Sequence, residues 1–206
     1  MLSSCNIALQ QGRYRWRHDK VLEAISSVLE PVVTRACHKQ PSTLRFINFV
    51  KPGQQKVMSN TQLGVLQTAN DWLIRIDLKK RLQFPGEIVQ TTLRPDIVIW
   101  STKSRQLIMI ELTVPWEENI EMANERKRLK YDELTQSCEA ARWKTWCLPI
   151  EVGCRGFIGN SIWAMCKILG IGGKNRKSIR KLCEEKSERA SNWIWIKRND
   201  REWVTS

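Results

Sequence analysis

Histidine is nearly absent from this 206-residue chain, with only His18 and His38 present. The seven cysteines, Cys5, Cys37, Cys138, Cys147, Cys154, Cys166 and Cys183, include no pair at C-x-x-C spacing. A structural zinc site gathers four such ligands at short intervals, so no zinc is expected, and Cys37-His38 is read as structural. An odd and scattered set of thiols fits reduced cysteines in an intracellular protein. Two histidines give no Ser/His/Asp arrangement on which to base a hydrolase. The stretch Gly170-x-Gly172-Gly173-Lys174-Asn175 lacks the Gly-Lys-Ser/Thr ending of a P-loop and reads as a helix stop and turn. No apolar run approaches the roughly 20 residues that span a bilayer. Met1 to Gln11 lacks the charged start and apolar run of a signal peptide. A soluble protein with no membrane partner is the expectation.

Acid is also scarce relative to base. Thirty-four Lys and Arg stand against 21 Asp and Glu, a net charge of +13. A surplus of that size favours a polyanionic partner, nucleic acid first, although a basic surface can also serve solvation alone. The 42% hydrophobic and 27% charged content is that of a folded chain, and the length suits one main core.

Arg13-Tyr14-Arg15-Trp16-Arg17-His18 interleaves cations with aromatic rings and leads into Asp19, whose side chain suits a helix N-cap. Val21, Leu22, Ile25, Val28 and Leu29 then recur at helical steps, and Pro31 ends or kinks that helix. Phe46 to Val50 is a short strand candidate in a turn-rich region. Trp72 to Leu78, Asp96 to Trp100 and Leu107 to Thr113 read as three strands. From Glu117 to Trp143 the pattern is helical, with Ile120, Ala123, Lys127, Tyr131, Leu134, Cys138 and Ala141 on one stripe. Thr145 to Val152 is a fourth strand. Phe157 to Leu169 is apolar on nearly all sides and should be buried. A basic helix follows from about Asn175 to Ser191, then Trp193-Ile194-Trp195-Ile196. The expected fold is an α/β sandwich of mixed pairing over 13–156, ordered helix, three strands, helix, strand, with a basic helical extension over 157–206 packed on it.

The most informative stretch runs from Arg94-Pro95-Asp96 to Thr113. If its two strands turn about the Lys103-Ser104 bond, residues whose numbers sum to 207 stand opposite each other, and Asp96 faces Glu111. Directly opposed side chains lie roughly 5 Å apart, and two like charges there repel unless a cation is shared between them. Hard oxygen ligands on adjacent strands suit Mg²⁺, or Mn²⁺ in its place. Period two puts Ile108, Ile110 and Leu112 in the core and turns Glu111 toward the covering helix. There Lys127 occupies the apolar register, out of place unless an anion is near, and Lys130 lies one residue off the same stripe. The bland alternative makes Asp96 a strand start, Glu111 a surface acid and Lys127 a snorkelling edge residue.

Pro95-Asp96, then Glu111 with a lysine nearby, resembles the PD-(D/E)XK nuclease signature. Together with Arg15-Trp16-Arg17-His18-Asp19, Val21-Leu22, Glu111-Leu112-Thr113, Arg126-Lys127-x-x-Lys130-Tyr131 and Asn192 to Arg198, it resembles the restriction-like endonuclease domain of site-specific non-LTR retrotransposons, over about Tyr14 to Trp203. The resemblance implies a metal-dependent DNA endonuclease with a restriction-endonuclease-like core. It implies Mg²⁺ held by Asp96 and Glu111 with the Leu112 carbonyl as a further ligand, and Lys127, or else Lys130, as the catalytic lysine. Two features depart from the pattern. Thr113 stands where the signature usually carries its lysine. The chain also has neither a reverse transcriptase Tyr-x-Asp-Asp nor a zinc knuckle. It therefore looks like a C-terminal piece of a polyprotein whose reverse transcriptase partner domain is absent, and a non-catalytic nucleic-acid-binding remnant is the alternative reading.

Candidate DNA contacts are Arg13, Arg15, Arg17 and Arg94, and the run Lys174, Arg176, Lys177, Arg180 and Lys181. At strand-like alternation Trp16 would face away from Arg15 and Arg17 and be plain core. The Lys174 run equally has the composition of a nuclear localisation signal or a solvated helix face. His18 is read as a structural histidine near a helix start, Glu23 as lying opposite the apolar side of its helix, and Glu117 and Glu118 as favourable charges at a helix N-terminus.

Overall fold

In the computed structural model, which describes residues 5–39, 63–200 and 203, a short helix α1 (Asn6–Gln10) leads through Gly12 into α2 (Arg13–Cys37). Arg13, Arg17, Val21, Ile25, Leu29 and Val33 recur every fourth residue and form the buried stripe of α2. This corrects the expected helix start. Gly12, at φ +69°, makes the turn into the helix, and Asp19 lies within it rather than capping it. Nothing between Gly12 and Asp19 breaks helical geometry, so the cation-aromatic segment joins the same helix. Pro31 does not end α2 either. It is exposed, and the helix gives up one backbone bond while Leu29 and Val33 keep the buried face continuous.

The sheet has four strands in spatial order: β1 (Trp72–Ile76), β2 (Ile97–Ser101), β3 (Gln106–Thr113) and β4 (Lys144–Glu151). The first two pairings are antiparallel and β3 with β4 is parallel, so the molecule is mixed α/β. A parallel pair needs a long crossover, which is α3 (Ile120–Ala140). In the β2–β3 hairpin Ile97 pairs with Ile110 and Ser101 with Gln106, the register expected from a turn about Lys103-Ser104.

Both faces of this hairpin are covered, which positions the site. Ile97, Ile99, Ile108, Ile110 and Leu112 pack under α2 and under α4 (Asn160–Leu169). Val98, Trp100, Leu107 and Met109 pack on Tyr131, Leu134 and Cys138 of α3. Each fully buried isoleucine stabilises the layer by roughly 2 kcal/mol. The final helix α5 (Gly173–Ile196) sends Ile179 and Cys183 into the same core cluster as α2 and runs antiparallel to that helix. Its end takes in Trp193 to Ile196, which were expected to follow a separate helix. Phe157, expected to be buried, is 57% exposed because α4 begins only at Asn160. The strand candidate Phe46 to Val50 lies outside the described residues. Among those described, no helix is long and apolar enough to cross a membrane.

The turn after α4 is held by a backbone-to-backbone contact. Gly170 ends α4 in the left-handed region at φ +74°, and its N–H and that of Ile171 return to α4 carbonyls. A Cβ at Gly170 would stand 2.8 Å from the Gly64 Cα, and one at Gly64 would collide with the Gly170 backbone. Gly64→Ala should therefore cost about 2 kcal/mol of unfolding free energy through overpacking. Urea denaturation measures it, and a loss below about 0.5 kcal/mol would mean the two backbones do not meet.

Candidate active site: an acid pair in a basic cleft

Two buried acids stand at neighbouring strand ends. Asp96 immediately precedes β2 and Glu111 lies near the end of β3; they are 5% and 3% exposed. Continuing the hairpin register by one step sets them opposite each other. Both line one cleft of about 530 Å³. Helix α2 reaches this cleft from one face of the sheet and α3 from the other.

Glu111 is bound from α3. Lys127 Nζ donates to Glu111 Oε1, and Lys130 Nζ reaches the same oxygen at 3.3 Å. The Tyr131 hydroxyl lies 2.8 Å from Glu111 Oε2 and 2.9 Å from the Arg94 carbonyl, with one proton to serve either. Lys127 and Tyr131 are one helical turn apart, so a single stripe delivers both. Burial, then the adjacent Glu111 charge, push the Tyr131 hydroxyl far above its ordinary pKa, so it stays a proton donor.

Asp96 is bound from α2 and from its own hairpin. His18 Nε2 lies 3.1 Å from Asp96 Oδ2, and the Leu112 N–H donates to the same oxygen at 2.8 Å. Asp96 Oδ1 makes no hydrogen bond among the described residues. His18 Nδ1 lies 3.0 Å from Asp19 Oδ1, and Arg15 Nε pairs with that oxygen at 2.8 Å. Burial alone would lower the His18 pKa, but its bonds to Asp19 and Asp96 outweigh it and raise the value to about 9. Burial opposes ionisation of Asp96 too, and the His18 bond more than offsets it, holding the carboxyl below its usual range. The two form an ion pair at neutral pH.

Other cations surround the pair. Arg15, Arg94, Arg126, Lys127 and Lys130 line the cleft with Arg17 and His18, against the carboxylates of Asp77, Asp96 and Glu111. Arg15 also donates to the Asp77 carboxylate and carbonyl, and the Asp77 N–H donates to the Asp96 carbonyl. The Thr113 hydroxyl, at the signature's usual lysine position, is buried without a partner among the described residues. It too borders the cleft.

The structure thus brings together Asp96, Glu111, Leu112, Lys127, Lys130, Arg15 and Arg94. Two of the expected DNA contacts are buried. Arg13 and Arg17 are 1% and 2% exposed because they fall on the buried stripe of α2. Arg13 donates to the carbonyls of Lys197 and Asp200 and stacks over Trp203. Arg17 donates to Ser191 and the Val114 carbonyl. Trp16 is half-buried against Trp203, and Glu23 is exposed as expected. His18 is the residue that sequence reasoning set aside. Its signal was Asp19 beside it and helical spacing from Arg15, both obscured by reading the segment as extended. Lys174, Arg176, Lys177, Arg180 and Lys181 are exposed on α5 and do not line the cleft. Glu117 takes the N–H and guanidinium of Arg155.

The donor chemistry fits a hard divalent ion. Two carboxylates from adjacent strands face one cleft, and Asp96 Oδ1 is unengaged. Among the described residues no three His, Cys, Asp or Glu side chains gather as a ligand set, so backbone and water would complete the shell. Glu111 would have to exchange Lys127 for the ion on one oxygen. No protein-family model matches the chain, and no curated protein matches its sequence.

A histidine raised from about 6.5 to about 9 on folding stabilises the protein fully below pH 6.5 and ceases to as pH rises through 9. In metal-free buffer with a chelator, wild type should exceed His18→Gln in stability by an increment that shrinks by about 3 kcal/mol between pH 6 and pH 10. Urea midpoints across that range test it, and a pH-independent difference would remove the ion pair.

Proposed function

We propose that this chain is a divalent-metal-dependent DNA endonuclease domain with a restriction-endonuclease-like PD-(D/E)XK core, of the kind the sequence resembles in non-LTR retrotransposons. One observation carries the reading: Asp96 and Glu111, buried at opposed ladder positions, meet Lys127 of the next helix inside a cleft rich in arginine. The helix, three-strand, helix, strand order supports it. A purely structural pair of buried carboxylates has no use for an open, basic cleft, whereas a phosphodiester does.

Asp96 and Glu111 are the residues that would hold Mg²⁺ or Mn²⁺, which when bound supplies Lewis acidity toward the phosphate and a lowered pKa for water. The remaining work falls to the chain. Arg15, Arg94 and Arg126 balance the charge of the DNA backbone and set its register. Lys127 Nζ holds Glu111 in the resting site and donates to a phosphate oxygen as negative charge develops there. Lys130 is placed behind it, 3.3 Å from Glu111 and 2.9 Å from the Tyr131 oxygen. Tyr131 fixes Glu111 from beneath.

A second reading has its own support. Asp96 and Glu111 are already neutralised by His18, the Leu112 N–H, Lys127 and Tyr131, so the fold does not require an ion. A nucleic-acid-binding remnant would keep these contacts and do no chemistry.

Supercoiled plasmid separates the two. Wild type should nick it with Mg²⁺ or Mn²⁺ and not with a chelator. Asp96→Asn and Glu111→Gln should each lower the rate at least about 100-fold while duplex binding persists, and Lys127→Ala should cost more than Lys130→Ala. Equal nicking by wild type and both acid variants would refute the enzyme reading, and DNA binding with no cleavage would establish the remnant.

A further inference from the structure

The +13 charge is not spent in the cleft alone. From Lys174 to Lys181 the chain carries five cations and no acid. These residues occupy the first turns of α5, where Ile179 points into the core and Lys174, Lys177, Arg180 and Lys181 are exposed. Of the five, only Lys181 has an ion-pair partner among the described residues, Glu185 at 3.8 Å on a largely exposed side chain. Arg176 rests over the Trp163 ring, 5.5 Å from its centroid. The charge then reverses: 182–189 holds three acids against two cations.

Helix packing fixes where this run lies. Ser191 of α5 meets Arg17, and Lys197 meets Arg13, so the C-terminal end of α5 sits beside the cleft end of α2. At the other end Val32 and Arg35 of α2, with Lys39 just past it, share a groove with Gly170, Gly172 and Asn175. The basic run is ten to seventeen residues before Ser191, which at helical rise is roughly 15–25 Å from the cleft end. The acidic 182–189 segment lies between.

We propose that the first turns of α5, with Lys174, Lys177, Arg180 and Lys181 projecting outward, form a second nucleic-acid backbone surface separate from the cleft of Asp96 and Glu111. This rests on the reading of the cleft's partner as DNA. Phosphates repeat along a duplex and need exposed cations with few competing carboxylates, and here only Lys181 faces one, Glu185 at 3.8 Å. A span of roughly 20 Å corresponds to about six base-pair steps of a duplex.

Charge-matched variants on the same helix test it. K177E/R180E and K186E/R189E each change the net charge by the same amount, at exposed positions of one helix, and melting curves check that both fold. Anisotropy with a 40-bp duplex in chelator measures binding apart from cutting. K177E/R180E should weaken binding about tenfold or more and make the dependence of log affinity on log salt shallower by about two. K186E/R189E should cost less than about threefold. Equal losses from the two variants, no loss from the first, or no duplex binding by wild type would overturn the surface. So would tighter binding of wild type to poly-glutamate than to DNA, which would assign it to an acidic protein. Nicking that survives an unchanged affinity leaves the cleft reading standing and removes this one; a tenfold loss in binding without nicking does the reverse.

Discussion

The site is organised by charge neutralisation inside the sheet. Two carboxylates at neighbouring strand ends, nearly removed from water, would each cost several kcal/mol without partners. Here each has a cation from a different side. His18 of α2 and the Leu112 N–H reach one oxygen of Asp96, while Lys127 and Tyr131 of α3 take the two oxygens of Glu111. Truncating any one partner leaves the rest buried and exposed to mutual repulsion. The position of both helices is thereby tied to the chemistry of two side chains.

That arrangement has a topological origin. The parallel pairing of β3 and β4 demands a crossover, and α3 is that crossover, so the helix that starts at Ile120, past the end of β3, must fold back over Glu111. Helix α2 closes the opposite face through Val21, Leu22, Ile25 and Leu29. A cleft bounded by both layers forms only where the strands end, which is where the acids lie.

The hairpin was legible because period two and one polar turn leave little freedom: the apolar set of β3 admits one register, and that register pairs Ile97 with Ile110. Lys127 was legible as a charge in an apolar stripe. The first turns of α2 were not. Arg13 and Arg17 occupy core positions, where cations are not expected, and their partners are carbonyls and a serine far along the chain, at Val114, Ser191, Lys197 and Asp200. Long-range backbone acceptors leave no trace in local composition. The same blindness hid the bond of His18 to Asp96, 78 positions away. Pro31 misled for the opposite reason: its local rule is sound, but an exposed ring on a helix buried along its other side costs too little to end it.

The phenol of Tyr131 spans two pieces of chain that are distant in sequence. Its oxygen sits between Glu111 on one strand and the Arg94 carbonyl, two residues ahead of Asp96, on the approach to the other. It works as a clasp across the mouth of the hairpin, and it makes the spacing of the two acids a property of one atom on a third element. A ring without that oxygen would fill the same volume and satisfy the same apolar neighbours, yet both jaws of the hairpin would lose their common anchor together.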